Sequence, residues 1–379
     1  MKRQYHEVPA AYLRGPAFHK NKLEIRSFIF WASFALTMAC LTIPPLRYLA
    51  YGVPMLVLLT CVADQTIRLG DETKPFLVIL VAGLALGPLA NTDGWKDLFF
   101  VFAGVSVAFL SRVPQVRLWS LFLVLLACFV FQFGAFGSFR GGIHFNILKS
   151  ESSFEGNFSF VFGLVVPFAV MQRRYVLALL SLAMTVLSLK RIAVLAALGA
   201  GVMAFVGPKR GKWLLNPPVM LALNALVLIA DMAYSTGALD YVILQLTGQS
   251  PNELGQGRQS IHRFVVRDLL DSPFHAFIGH GMGAVYTIAE AGVGAYEKIN
   301  LHSDLLKLSY EVGYIVTAVA IWTMYTSRHY ALRVAFLFQN ILFFTDNTLI
   351  YFFLTFLLFT LMRVQRESEE AHAPPTTVA

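Results

Sequence analysis

Charge is scarce in this sequence. Only 14% of its residues are Asp, Glu, Lys or Arg, against roughly 25% in an ordinary soluble domain. With 57% hydrophobic residues beside it, that deficit excludes a soluble enzyme and a disordered chain, because only a bilayer can absorb so much apolar side chain. Cysteine is scarce too. Cys40, Cys61 and Cys128 all lie in apolar runs, and no pair has the spacing of a metal site. Neither a disulfide nor a metal centre is expected. No glycine-rich turn ends in Gly-Lys-Ser/Thr, which removes a nucleotide loop. No small-residue cleavage site cleanly follows the first apolar run, so a retained first span is expected instead of a removed signal peptide.

What remains is a series of apolar stretches bounded by charges or turn residues: 27–43, 46–64, 76–92, 96–112, 117–137, 157–171, 175–188, 191–206, 214–231, 303–326, 332–345 and 348–362. Several fall short of the roughly 20 residues a straight spanning helix needs. The expected fold is all-α: a polytopic integral membrane protein of about a dozen transmembrane helices. Residues 1–26 form a cytoplasmic segment, 27–231 the first nine spans, 232–302 a long external loop with an amphipathic helix, 303–362 the last three spans, and 363–379 a cytoplasmic tail. With the N-terminus inside, the inner turns carry Arg68/Lys74, Arg112/Arg117, Arg173/Arg174, Lys209/Arg210/Lys212, Arg328/Arg333 and Arg363/Arg366. That is the positive-inside pattern, and it absorbs most of the net charge of +8.

The cations that break the pattern are the informative ones. Lys190-Arg191 falls at an outer turn. Segment 138–156 carries Arg140, His144, Lys149, Glu151 and Glu155. The long loop carries Arg258, His262, Arg263, Arg267, His275, His280, Lys298 and His302. Arg191 is either an anion clamp, its planar fork matched to phosphate oxygens, or an interface anchor that snorkels; the residues leave both open. In Gly257–Leu270 a helical period puts Ile261, Phe264, Val265 and Leu269 on one arc, with Arg258 inside it. Arg263 and Arg267 point to the other side, toward solvent or headgroups. Asp271-Ser272-Pro273 ends that helix, and Gly279-His280-Gly281-Met282-Gly283 makes tight turns.

His302 opens the tenth span. A helix N-terminus disfavours the imidazolium, which suits a general base; the alternative is a hydrogen-bonded interface histidine. Lys307 and Glu311, four residues apart, are expected to neutralise each other. Asp346-Asn347 interrupts the last two apolar runs and either supports a site or makes the turn.

At these residues the chain resembles the O-antigen ligase and O-antigen polymerase superfamily. The matching pieces occur in order: Ser188-Leu189-Lys190-Arg191-Ile192-Ala193, Gly257-Arg258, Ser272-Pro273 with Gly279-His280-Gly281-Met282-Gly283, and His302-Ser303-Asp304-Leu305-Leu306 with Glu311-Val312-Gly313. Phe154-Glu155-Gly156-Asn157 is similar to the short external motif of that superfamily. Ser303 stands where Asn is commoner, and Lys190 where a small or polar residue is usual.

The resemblance implies a C-type glycosyltransferase-like fold in the bacterial inner membrane, its active site facing the periplasm. It implies a polyprenyl-diphosphate-linked glycan (undecaprenyl diphosphate type) as donor, inversion at the anomeric carbon, and no metal or cofactor. Arg191 and Arg258 would grip the diphosphate and His302 would receive the acceptor proton. Lys190, His262, Arg263, Arg267, His280 and Arg140 would contact the substrate. Polymerisation of O-antigen or exopolysaccharide repeats is the leading expectation, with a chain-length regulator as possible partner. A ligase transferring the glycan to lipid A core, or to a protein, is the alternative. A lipid-linked oligosaccharide transporter would also explain many spans, but it predicts two similar halves, and these halves are unlike.

Overall fold

The computed structural model describes residues 16–64, 69–110, 114, 116–135, 144–146, 151–255, 257–293 and 300–372. The fold is all-α. Its helices are α1 (Pro16–Thr42), α2 (Gly52–Asp64), α3 (Lys74–Ala85), α4 (Thr92–Val105), α5 (Leu118–Ala135), α6 (Phe158–Met171), α7 (Tyr175–Leu187), α8 (Arg191–Val206), α9 (Pro208–Leu214), α10 (Pro217–Ser235), α11 (Asp240–Thr247), α12 (Pro251–Leu254), α13 (Arg258–Asp271), α14 (Pro273–Ile278), α15 (Ala284–Val293), α16 (Asp304–Glu311), α17 (Gly313–Met324), α18 (Tyr330–Leu342) and α19 (Phe352–His372). Before α6 lies a minimal antiparallel pair, β1 (Phe145–Asn146) and β2 (Glu151–Ser152). Each of the twelve apolar stretches coincides with a helix or a broken pair of helices. Among the described residues, α5 and α10 are long and apolar enough to cross a membrane unaided; seven other apolar helical stretches, Ser27–Thr42 of α1 among them, have 10–17 residues.

At the centre stands α6, where every residue from Phe158 to Ala169 is buried. A helix apolar on all sides is stable only when others surround it, and α5, α7, α8, α18 and α19 do so. Its contact with α8 runs over a seam of Ala193, Ala196, Ala197, Ala200 and Gly201, all buried. Small residues let two helix backbones approach closely. Outward faces stay apolar: Leu179 on α7, Phe205 on α8 and Leu226 on α10 are all exposed.

The turns sort into two sets. At one end Glu72 meets Arg363 at 3.9 Å, Gln172 donates to Gln365 at 3.1 Å, and Arg333 donates to the Leu215 carbonyl at 3.0 Å. At the other, Asn91 donates to the Gly283 carbonyl at 2.8 Å, Ser152 to the Leu187 carbonyl at 2.8 Å, and the Asp304 N–H to the Asp346 carbonyl at 3.1 Å. The first set joins turns that the charge pattern assigns to one side, and the second joins turns that it assigns to the other.

The stretch 232–302 is more built than a loop with one amphipathic helix. It holds α11 to α15, and Val265, Val266, Leu269, Ala276, Val285 and Tyr286 share a small core with Leu306 and Tyr310 of α16. A buried polar knot fastens it to the bundle. The Lys307 ammonium contacts the Asp97 carboxylate of α4 and donates to the Tyr286 hydroxyl of α15 at 2.8 Å. Glu311, the expected partner of Lys307, acts on the same ammonium through its charge and also accepts the Gly283 N–H at 2.9 Å. Both ends of the Lys307–Asp97 pair are about 3% exposed. Breaking a buried pair from one side leaves an uncompensated charge, at a cost of about 3–5 kcal/mol. Asp97→Leu should therefore lower the thermal midpoint in detergent strongly, and adding Lys307→Met should recover much of it; a double variant no better than the single would contradict this account.

Candidate active site

Segments far apart in the chain meet in one cavity of about 310 Å³ at the end that carries 232–302. Lys190 and Arg191 reach it from the α7–α8 turn, Arg258 from the start of α13, His302 from just before α16, and Asp346 from the α18–α19 turn. Glu155, ahead of α6, and Tyr351, ahead of α19, complete its polar lining.

Local backbone chemistry makes these placements. Leu189 takes φ +55°, which turns the chain sharply between α7 and α8 and makes Arg191 the first residue of α8. Gly257, at φ +82°, does the same before α13, whose first residue is Arg258. Before α16, Ser303 is the N-cap and accepts the Leu306 N–H at 3.2 Å, so His302 lies one residue outside the helix. His302 itself holds φ +55°, a left-handed conformation that costs a residue with a Cβ about 1–2 kcal/mol. Three helices thus begin at or beside the cavity. The N-termini of α8 and α13 favour an anion, whereas the first N–H groups of α16 are taken by the Asp346 and Phe343 carbonyls and by Ser303.

Charge is arranged around this opening. Lys190 lies 3.7 Å from Asp346 and 4.6 Å over the Phe160 ring. Arg258 donates to the Thr345 carbonyl at 3.3 Å. Asp346 accepts the Asn347 N–H at 2.8 Å and the Tyr351 hydroxyl at 3.3 Å. Buried Asp304 accepts the Leu349 N–H at 2.6 Å and the Thr348 hydroxyl at 3.3 Å, which holds the turn carrying Asp346. Burial, then the Arg258 charge, hold the His302 imidazole below the ordinary histidine range; Asp346 pulls the other way and Lys190 adds to the depression. The ring is kept neutral, able to accept a proton.

Of the residues expected at the site, Arg191, Arg258, His302 and Lys190 are brought together. The other described ones are placed elsewhere. His262 is 5% exposed and outside the cavity lining, with Asp231 and the Leu301 carbonyl on its two ring nitrogens. His280 stacks on Tyr310 at 4.1 Å and contacts Asp268 at 3.1 Å, locking the glycine-rich turn to α16. Exposed Arg263 donates to the Ser235 carbonyl at 3.1 Å. Exposed Arg267 lies 3.7 Å from Asp271. Arg140 lies outside the described residues.

The buried face of α13 is Gln259, His262, Val265, Val266 and Leu269, about one position round from the expected arc. Phe264 is left half-buried, while Arg258 still faces inward. Asp346 had a visible signal as a charge between two apolar runs; Glu155 lay in a short matching motif; Tyr351 had none. Among the described residues, no group of three or more His, Cys, Asp or Glu could hold a metal ion.

The left-handed backbone at His302 has its own test. Glycine takes that conformation at little cost, so His302→Gly should be more stable than His302→Ala by about 1–2 kcal/mol, read from thermal midpoints of the two purified variants. Equal midpoints would mean that the strain is not there. No family model, curated protein or solved structure matches this chain.

Proposed function

We propose that this chain is an integral membrane glycosyltransferase that polymerises polyprenyl-diphosphate-linked oligosaccharide repeats, of O-antigen or exopolysaccharide type, on the outer face of the bacterial inner membrane. The observation that carries the reading is the convergence of Arg191, Arg258, Lys190 and a neutral-held His302, from three separate segments, on one cavity. Three cations beside helix N-termini are chemistry for a diphosphate, and a neutral imidazole among them is chemistry for removing a proton. The order of the motifs, the apolar outward faces and the sorting of turns by Lys/Arg content support a chain embedded with twelve membrane-crossing segments. A second cavity of about 490 Å³, walled by Leu228, Met232, Leu269, Phe277 and Ile321, offers hydrocarbon-compatible surface beside α13 and α16.

In the proposed reaction Arg191 and Arg258 hold the diphosphate and stabilise the charge it gains as the anomeric C–O bond breaks. The acceptor hydroxyl attacks from the opposite face and inverts the anomeric carbon. A ring nitrogen of His302 takes the hydroxyl proton, and the diphosphate leaves on its lipid. Lys190 adds a third positive charge.

His302→Ala, Arg191→Lys and Arg258→Lys should each abolish glycan transfer with membrane levels unchanged; full activity in one of them would remove that residue from the mechanism. In a deletion strain, single repeats left on the carrier would fit polymerisation, whereas long carrier-bound chains would point to ligation. The pH profile adds a directional check. A base held below the ordinary histidine value of 6.5 works above that value and is lost as pH falls through its depressed one. Lys190→Gln removes a charge that lowers it, and Asp346→Asn one that raises it. The acid limb of kcat/KM should move up in the first variant and down in the second. Unmoved limbs, or shifts of the opposite sign, would exclude His302 as the titrating group.

A further inference from the structure

We infer that Asp231 and His262 form a positioning clamp that sets the backbone, and through it the imidazole, of His302; the inference rests on the proposed role of His302 as base. The contacts are specific. The His262 Nε2 lies 2.6 Å from the Leu301 carbonyl oxygen, and its Nδ1 lies 2.9 Å from Asp231 Oδ1. A carbonyl oxygen can only accept, so Nε2 carries a proton and donates it. The contact of Nδ1 with Asp231 fixes the rotation of the ring. The three pieces come from α10, α13 and the segment entering α16, and His262 and Leu301 are 5% and 1% exposed.

The consequence falls on His302. Its φ is the torsion about its own N–Cα bond, so the plane of the Leu301–His302 peptide is one side of that torsion. A carbonyl pinned by His262 fixes that plane and holds φ at +55°, where an L-residue does not settle unaided. Released, the peptide can turn to negative φ, carrying the imidazole away from Arg191 and Arg258. His262 thus acts on the reaction without touching the cavity, which explains a buried histidine with both nitrogens occupied next to a strained one.

The test uses the full chain purified in detergent, with inorganic diphosphate as the cavity probe. Carbethoxylation of His302 by diethyl pyrocarbonate, followed by peptide mass mapping, should be slowed by diphosphate in the unaltered protein. In His262→Phe, which keeps the ring and loses both nitrogens, that protection should disappear. In glycosyl transfer kcat should fall by about 100-fold, the scale expected when a catalytic group is misplaced, while KM for the lipid-linked donor stays unchanged. His262→Gln, whose amide can still donate to the Leu301 carbonyl, should restore most of the protection and of kcat.

Full protection and unaltered kcat in His262→Phe would overturn the clamp. Equal impairment of the Phe and Gln variants would also overturn it, since that is the mark of packing alone. Should His262→Phe not accumulate, Asp231→Leu asks the same question by freeing the ring to rotate. If diphosphate fails to protect His302 in the unaltered chain, it is the donor-site reading that falls, not the clamp.

Discussion

The Lys307–Asp97 contact is the constraint from which the outer end of the molecule is built. In a chain this poor in charge, an ammonium buried in α16 has to find carboxylates; Glu311 of the same helix is one, and the one it contacts lies on α4. Tyr286 bridges to the same ammonium from α15, and Glu311 takes the Gly283 N–H from the glycine-rich turn. Three pieces of the chain, α4, the glycine-rich turn with α15, and α16, are thereby joined by buried polar contacts. The cost of burying these groups is met only if all stay together, so α16 has little freedom to tilt or slide. Since α16 starts two residues after His302, the position of that histidine inherits the rigidity of the knot.

Rigidity at that level makes local strain tolerable. Left-handed residues at Leu189 and His302 are sparsely populated conformations that persist when surrounding structure over-determines them. The surroundings here are identifiable: the hydrogen bond from Ser152 to the Leu187 carbonyl before one turn, and the His262 bond to the Leu301 carbonyl before the other. Both strained residues line the same cavity.

Much of this was legible in the residue pattern, for physical reasons that also explain what was not. Apolar runs mark helices because burial period and length are local properties, and each of the twelve runs coincides with helix. Lys190, Arg191, Arg258 and His302 were conspicuous because cations outside a basic-inside pattern demand a reason. Asp97 was invisible as a partner of Lys307, since a pairing across 210 residues leaves no local trace, whereas the i, i+4 relation to Glu311 was visible and accounts for only part of the charge around that ammonium. Asp231 closes the ninth apolar run and reads as an ordinary span edge; nothing along the chain ties it to His262. The five helices between 235 and 294 were underestimated for a related reason. Segments of 4 to 14 residues carry weak periodicity, and their burial comes from packing on one another and on α16, which is tertiary information.

The balance of charge in the cavity bears on how such a site would work. Three cations face two carboxylates, Glu155 and Asp346. An isolated cluster of three cations would repel itself and stay mobile; interleaved acids keep it ordered before any ligand arrives, which is what preorganised electrostatic stabilisation requires. The hold on Lys190 is a loose one, 3.7 Å to Asp346 with an aromatic face at 4.6 Å. On the proposed reading, a diphosphate carries more charge than Asp346 and presents more acceptor oxygens, so it would draw Lys190 across and leave Asp346 to its bonds with Asn347 and Tyr351. That exchange would remove a nearby cation from Asp346 and leave its carboxylate less compensated at the moment His302 takes on positive charge. Asp346 would then stabilise the imidazolium formed in the transition state better than it does the resting ring. The same carboxylate would serve as placeholder in the empty site and as counter-charge during transfer.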